Sequence, residues 1–82
     1  METKFKLLDI VNLIETTAKT KAILDPKFEL EYLIGNVQEE HLITLGFKYL
    51  GKSSYNICPT YQMNNIFAFF DEGILHVSET II

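Results

Sequence analysis

The sequence predicts an α+β domain: an N-terminal helix and a short second helix packed on a four-stranded antiparallel β-meander, all within one unit spanning residues 1–82. Three observations lead there. Apolar residues recur at helical spacing near the N-terminus, and from residue 47 the period becomes that of strands. Turn-forming residues then punctuate the second half at 51–54, 64–65 and 71–73.

Lys6 to about Ala22 fits an amphipathic helix, with Leu7, Val11, Ile14 and Ala18 in one stripe and Leu8, Ile10 and Leu13 widening it. Thr16, Thr17 and Thr20 weaken its far end, and Asp25-Pro26 is the expected stop. Residues 28–34 alternate as Phe28, Leu30, Tyr32 and Ile34 against Glu29 and Glu31, which offers an extra strand, although Asp25-Pro26 would also suit a helix start. Gly35-Asn36 breaks the chain. A short helix over 37–45 follows, with Asn36 as its cap, Glu39 in a capping-box position and Gly46 as its left-handed terminator. Four strands then read as 47–51, 54–62, 66–70 and 74–79. Ile66-Phe67-Ala68-Phe69-Phe70 is apolar on both sides, the mark of an interior strand, and Pro59 implies a bulge or an edge position in the strand before it.

Composition narrows the class. In 82 residues, 48% are hydrophobic and 12% aromatic, which argues for an ordered core and against a disordered chain. The apolar runs fall far short of the ~20 residues needed to cross a bilayer. The single cysteine suits a reducing, cytoplasmic setting, and no secretory leader is visible. Net charge is −4 and all seven basic residues are lysine, so direct nucleic-acid binding is not expected. Ile, Asn, Lys, Phe and Tyr are abundant while Ala, Gly, Pro and Arg are scarce, as AT-rich coding would produce.

One string names a chemistry. Gly46-Phe47-Lys48-Tyr49-Leu50-Gly51-Lys52-Ser53 matches the phosphate-binding pattern G-x-x-x-x-G-K-[ST]. The match fails on context: bulky residues fill the positions where small ones must let the backbone curl, and no helix opens after Lys52. No nucleotide, other cofactor or metal is expected. As chemistry, Cys58 with His41 or His76 could form a nucleophile–base pair, but nothing in the spacing supplies an orienting third group, and two histidines with one distant cysteine make a poor metal set. Cys58 reads as a buried small hydrophobe, His41 as a solvated helix residue and His76 as a sheet-face residue.

The hairpin turn decides the faces of the sheet. A three-residue loop at 71–73 would pair Phe70 with Ile74 and Ala68 with His76. One face then carries Phe67, Phe69, Leu75 and Val77 and forms the core, with Phe69 central to it. The other carries Tyr61, Met63, Ile66, Phe70, Ile74 and His76. These six are the expected partner-binding residues, with Phe70 as anchor, because one helix covers only one side of the sheet.

A helical start, a short helix running through Leu45-Gly46-Phe47 into a strand, and a β-meander, combined with AT-rich usage, resemble small phage or mobile-element accessory proteins. The resemblance covers the overall pattern and carries no functional residues. It implies a non-enzymatic interaction module that binds and inhibits a host or defence protein in the host cytoplasm. Two alternatives stand beside it: a small enzyme or ligand-binding protein using Cys58 with a histidine, and a homo-oligomer such as a homodimer whose mixed sheet face is its own interface.

Overall fold

A computed structural model describes residues 5–27, 31–51 and 58–79. The fold is α+β, as expected, but the sheet has six antiparallel strands and not four. Helix α1 (Leu7–Ala18) is followed by strands β1 (Ala22–Leu24) and β2 (Glu31–Gly35), helix α2 (Glu39–Leu45), and strands β3 (Lys48–Gly51), β4 (Thr60–Met63), β5 (Ile66–Asp71) and β6 (Ile74–Ser78). Across the sheet the order is β1-β2-β6-β5-β4-β3. The C-terminal meander therefore forms one side, and β2 docks antiparallel on β6 to add the β1–β2 hairpin. β2 realises the extra strand anticipated at 28–34, of which residues 28–30 lie outside the described residues.

β1 was not legible because α1 stops four residues before the expected Ala22. Lys19 adopts φ 55°, a left-handed conformation, and the Thr20 N–H donates to the Glu15 carbonyl at 3.0 Å. The Glu15 carboxylate then accepts the Ala22 N–H at 2.7 Å, so one residue of the helix ties down the start of β1. A non-glycine residue in this conformation is uncommon and leaves no compositional mark.

α2 ends as the sequence announces. Gly46 has φ 111°, its N–H donates to the Ile43 carbonyl at 3.1 Å, and the Phe47 N–H donates to Leu42 at 3.0 Å. This is the Schellman arrangement, with buried Leu42 and Phe47 as its apolar pair. The first glycine of the phosphate-loop string is thus a helix terminator. Lys48–Gly51 is an extended strand where a curled cradle would be required, and Lys52 and Ser53 lie outside the described residues. The cap at the other end of α2 is two residues later than expected: Gln38 and not Asn36 precedes the first turn, and its N–H donates at 2.9 Å to Nδ1 of His41, which takes the capping-box place expected of Glu39.

The register of the β5–β6 hairpin corrects the expected faces. Asp71 pairs with Ile74, Phe70 with Leu75, Phe69 with His76 and Ala68 with Val77. The loop is two residues, Glu72 and Gly73, both left-handed at φ 53° and 81°. Compared with a three-residue loop, β6 slips by one position and every one of its side chains changes face. Ile66, Ala68, Phe70, Leu75 and Val77 therefore share the face of Tyr61 and Met63, whereas Phe67, Phe69, Ile74 and His76 lie on the other. Both helices pack on the first face. Ile10, Val11 and Ile14 of α1 and Leu42 of α2 join Ile34, Tyr61, Ile66, Ala68, Leu75 and Val77 in a single core. Leu8 and Leu13, read as part of the helix stripe, are exposed. Asn65 ties the segment before α1 to the β4–β5 turn: its Oδ1 accepts the Phe5 N–H at 2.7 Å and its Nδ2 donates to the Phe5 carbonyl at 2.9 Å.

The packing yields a direct comparison within α1. Ile14 is fully buried and Leu13 is 48% exposed. Ile14→Ala should lower unfolding free energy by about 3–4 kcal/mol, and Leu13→Ala by under about 1 kcal/mol, measured by chemical denaturation.

Candidate functional site

An aromatic row crosses the helix-covered face at its β3 end. Tyr49 in β3 lies opposite Tyr61 in β4, with ring centroids 5.2 Å apart, and Tyr61 meets Phe70 of β5 edge-on at 5.8 Å. The register explains the row: Tyr61 pairs with Ala68, which leaves Phe70 as its diagonal neighbour on the same face. The row begins at the sheet edge, where Tyr49 is 54% exposed, and runs inward to Tyr61, which is 2% exposed.

Tyr61 carries a polar tip into this apolar setting, and a buried phenol needs a partner. Its hydroxyl donates to the carboxylate of Glu39 in the first turn of α2. Burial pushes the Tyr61 phenol well above its ordinary range; the hydrogen bond to Glu39, the Glu39 charge and then Tyr49 add to the shift. Beside this pair the surface opens into a cleft of about 430 Å³, lined by the apolar Val37, Pro59, Tyr61 and Phe70 and by the polar Gln38 and Glu39. Pro59 is held there by its carbonyl, which accepts the Phe70 N–H at 3.2 Å. A concavity of equal volume at the far end of α1 is lined by no aromatic residue, and its Glu15 carboxylate is committed to Ala22.

The opposite face carries a second constellation. Glu31, 4% exposed, pairs through its carboxylate with Nδ1 of His76, and the His76 ring stacks on Phe69 at 4.6 Å with 8° between planes. Three strands contribute one residue each. The imidazole N–H satisfies a carboxylate that would otherwise be buried without a partner, and Phe69 holds the ring flat. This arrangement has a structural task.

The six residues expected to form one partner surface are divided by the fold. Tyr61 and Ile66 are in the core, Met63 and Phe70 pack half-buried against it, and Ile74 and His76 belong to the other face. Tyr61 and Phe70 do come together, as two walls of the cleft. Cys58 is half-buried just before β4. His41 caps α2 on the helix side, while His76 engages Glu31 on the far side, so the two histidines do not share a site. Among the described residues no group of three or more His, Cys, Asp or Glu side chains is placed to hold a metal, and no helix is long and apolar enough to cross a membrane. Glu39 and Glu31, the two carboxylates that matter most, carry other expectations from the sequence, a capping-box position for Glu39 and the polar side of a strand for Glu31. No sequence signal pointed to the Glu31–His76 pair, because it depends on β2 docking beside β6, which sets Leu33 opposite His76 and Glu31 two positions away. Compared with family models, curated proteins and solved structures, the chain matches none.

Two outcomes follow. The folded state holds the Tyr61 proton that the unfolded chain releases above about pH 10, so stability should fall as pH rises beyond that point, and less steeply in Tyr61→Phe; denaturation across alkaline pH measures it. His76→Ala leaves the Glu31 carboxylate buried without its imidazole and should cost about 1–3 kcal/mol, seen as a lower denaturation midpoint.

Proposed function

We propose that this chain is a non-enzymatic protein-interaction module that takes an extended segment of a partner protein along the outer edge of β3. The observation that supports the reading is the character of that edge. β3 ends the sheet, so one row of its backbone groups has no neighbouring strand among the described residues. Tyr49 and Leu50 project from it 54% and 51% exposed. An added strand would supply the missing backbone hydrogen bonds, and pockets beside the edge would select its side chains. The aromatic row leading from Tyr49 to the cleft provides one such pocket.

Two features favour a different chain as the added strand over a second copy. Lys48 charges the edge, and the register shifts between Tyr49 and Gly51, where Gly51 has φ 90°. Charge and irregularity are what natural edges use against self-pairing. The opposite edge, β1, exposes Ile23 and Leu24, but it is only three residues long and adjoins neither the aromatic row nor the cleft. Occupying a partner's segment denies it to other chains, which is how a protein of this size would inhibit a host or defence protein.

Leu50→Asp tests the reading after affinity capture from native cells and reconstitution with the purified partner. It should weaken the complex by about 2 kcal/mol, roughly 30-fold, with the melting temperature unchanged. Light scattering on the isolated chain distinguishes the alternative: a dimer that Leu50→Asp dissociates would make a second copy the occupant. A complex that binds Leu50→Asp as tightly as the parent would overturn the edge as the interface.

A further inference from the structure

We infer that the cleft beside Tyr61 is a receptor for a basic side chain, arginine or lysine, presented by the partner protein; the inference rests on the interaction reading above. Its lining is of two kinds. Val37, Pro59, Tyr61 and Phe70 form apolar and aromatic walls, and Glu39 sets a carboxylate among them. Val37 and Tyr61 are buried, whereas Glu39 is exposed.

The chemistry of the occupant follows from these groups. An aliphatic stem capped by a cation buries its methylenes against apolar walls while the charged head meets a carboxylate near the surface. Half-buried Phe70 adds an aromatic ring to the lining, a group that attracts a guanidinium or ammonium over its face. Glu39 already accepts the Tyr61 hydroxyl through Oε2, which fixes the carboxylate in place before a ligand arrives. Among the described residues its sole hydrogen-bond partner is that hydroxyl, and none of the described residues lining the cleft is basic. An anion would meet Glu39 with Glu40 beside it in the same helical turn, and the chain as a whole carries a net charge of −4. A wholly apolar side chain would meet the apolar walls but leave the Glu39 charge unused. The volume of about 430 Å³ lies within the range of ligand-binding clefts, about 300–1,000 Å³.

The probe is acetyl-Gly-Arg-Gly-amide, titrated into the full chain and followed by NMR, with the citrulline peptide as a neutral isostere. The expected result is saturable movement of the Val37, Tyr61 and Phe70 resonances in the millimolar range, with the citrulline peptide about 10-fold weaker or more. Glu39→Gln keeps an acceptor for the Tyr61 hydroxyl but removes the charge, and should erase the difference between the two peptides. Thermal melting establishes that the variant is folded; Phe70→Leu, which keeps an apolar wall but removes a ring, is the second variant and should weaken the arginine peptide several-fold. Equal binding of the arginine and citrulline peptides overturns the inference, as does the absence of movement at these three residues. The edge and the cleft fail separately. If Leu50→Asp loses the partner while Glu39→Gln keeps it, the edge stands and the cleft does not; the reverse pattern retains the cleft and rejects the edge.

Discussion

The two-residue turn at Glu72-Gly73 is the constraint on which the rest of this structure depends. With both residues left-handed, the turn matches the right-handed twist of its strands and aligns Ala68 with Val77 and Phe70 with Leu75. That alignment brings Leu75 and Val77 onto the face of Ile66 and Ala68, where the two helices can cover them together. β6 in turn presents its free side to β2 in a register that sets Ile34 opposite Leu75. A slip of one residue would turn Leu75 and Val77 away from the helices and expose His76 to the core. The pairing of Glu31 with His76 exists only because the same turn directs His76 to the far face.

The helices succeed through different means. α2 is short, and an isolated helix of seven residues would not persist in water. It persists because both ends are tied: His41 accepts the Gln38 N–H at the start, and the Gly46 termination folds Phe47 back into the core. α1 is longer and is held by Ile10, Val11 and Ile14. Its end is set by Glu15, whose backbone and side chain bind the two segments that follow it. The consequence is β1, a strand made from residues that would otherwise extend the helix.

The candidate site joins a sheet edge to an interior polar pair. Tyr49, Tyr61 and Phe70 pass from solvent to core in three adjacent strands, and the Tyr61–Glu39 hydrogen bond connects the sheet to the first turn of α2. Val37 and Pro59 line the cleft together with this phenol, whose hydroxyl is tied to the Glu39 carboxylate. Rigid walls of this kind reduce the ordering cost of taking up a side chain. An edge strand beside them supplies backbone hydrogen bonding without regard to sequence, so selection falls to the cleft.

Much of the fold was legible in the residues themselves. The amphipathic stripe placed α1, Gly46 ended α2, Asn64-Asn65 closed the β4–β5 turn, and the doubly apolar run at 66–70 identified an interior strand. These depend on local conformational preference and periodicity, which a single segment carries alone. Three things required the tertiary structure. The face of β5 was undetermined because a strand apolar on both sides has no pattern to orient it, and the neighbouring turn was read one residue too long since glutamate rarely takes a left-handed φ. β1 was hidden in residues with helical spacing, and only pairing with β2 made them a strand. The Glu39–Tyr61 and Glu31–His76 pairs join residues 22 and 45 positions apart, so spacing along the chain could not show them. Local segments determined which elements form; the competition to bury apolar surface while satisfying every buried polar group decided which faces meet and where a site could open.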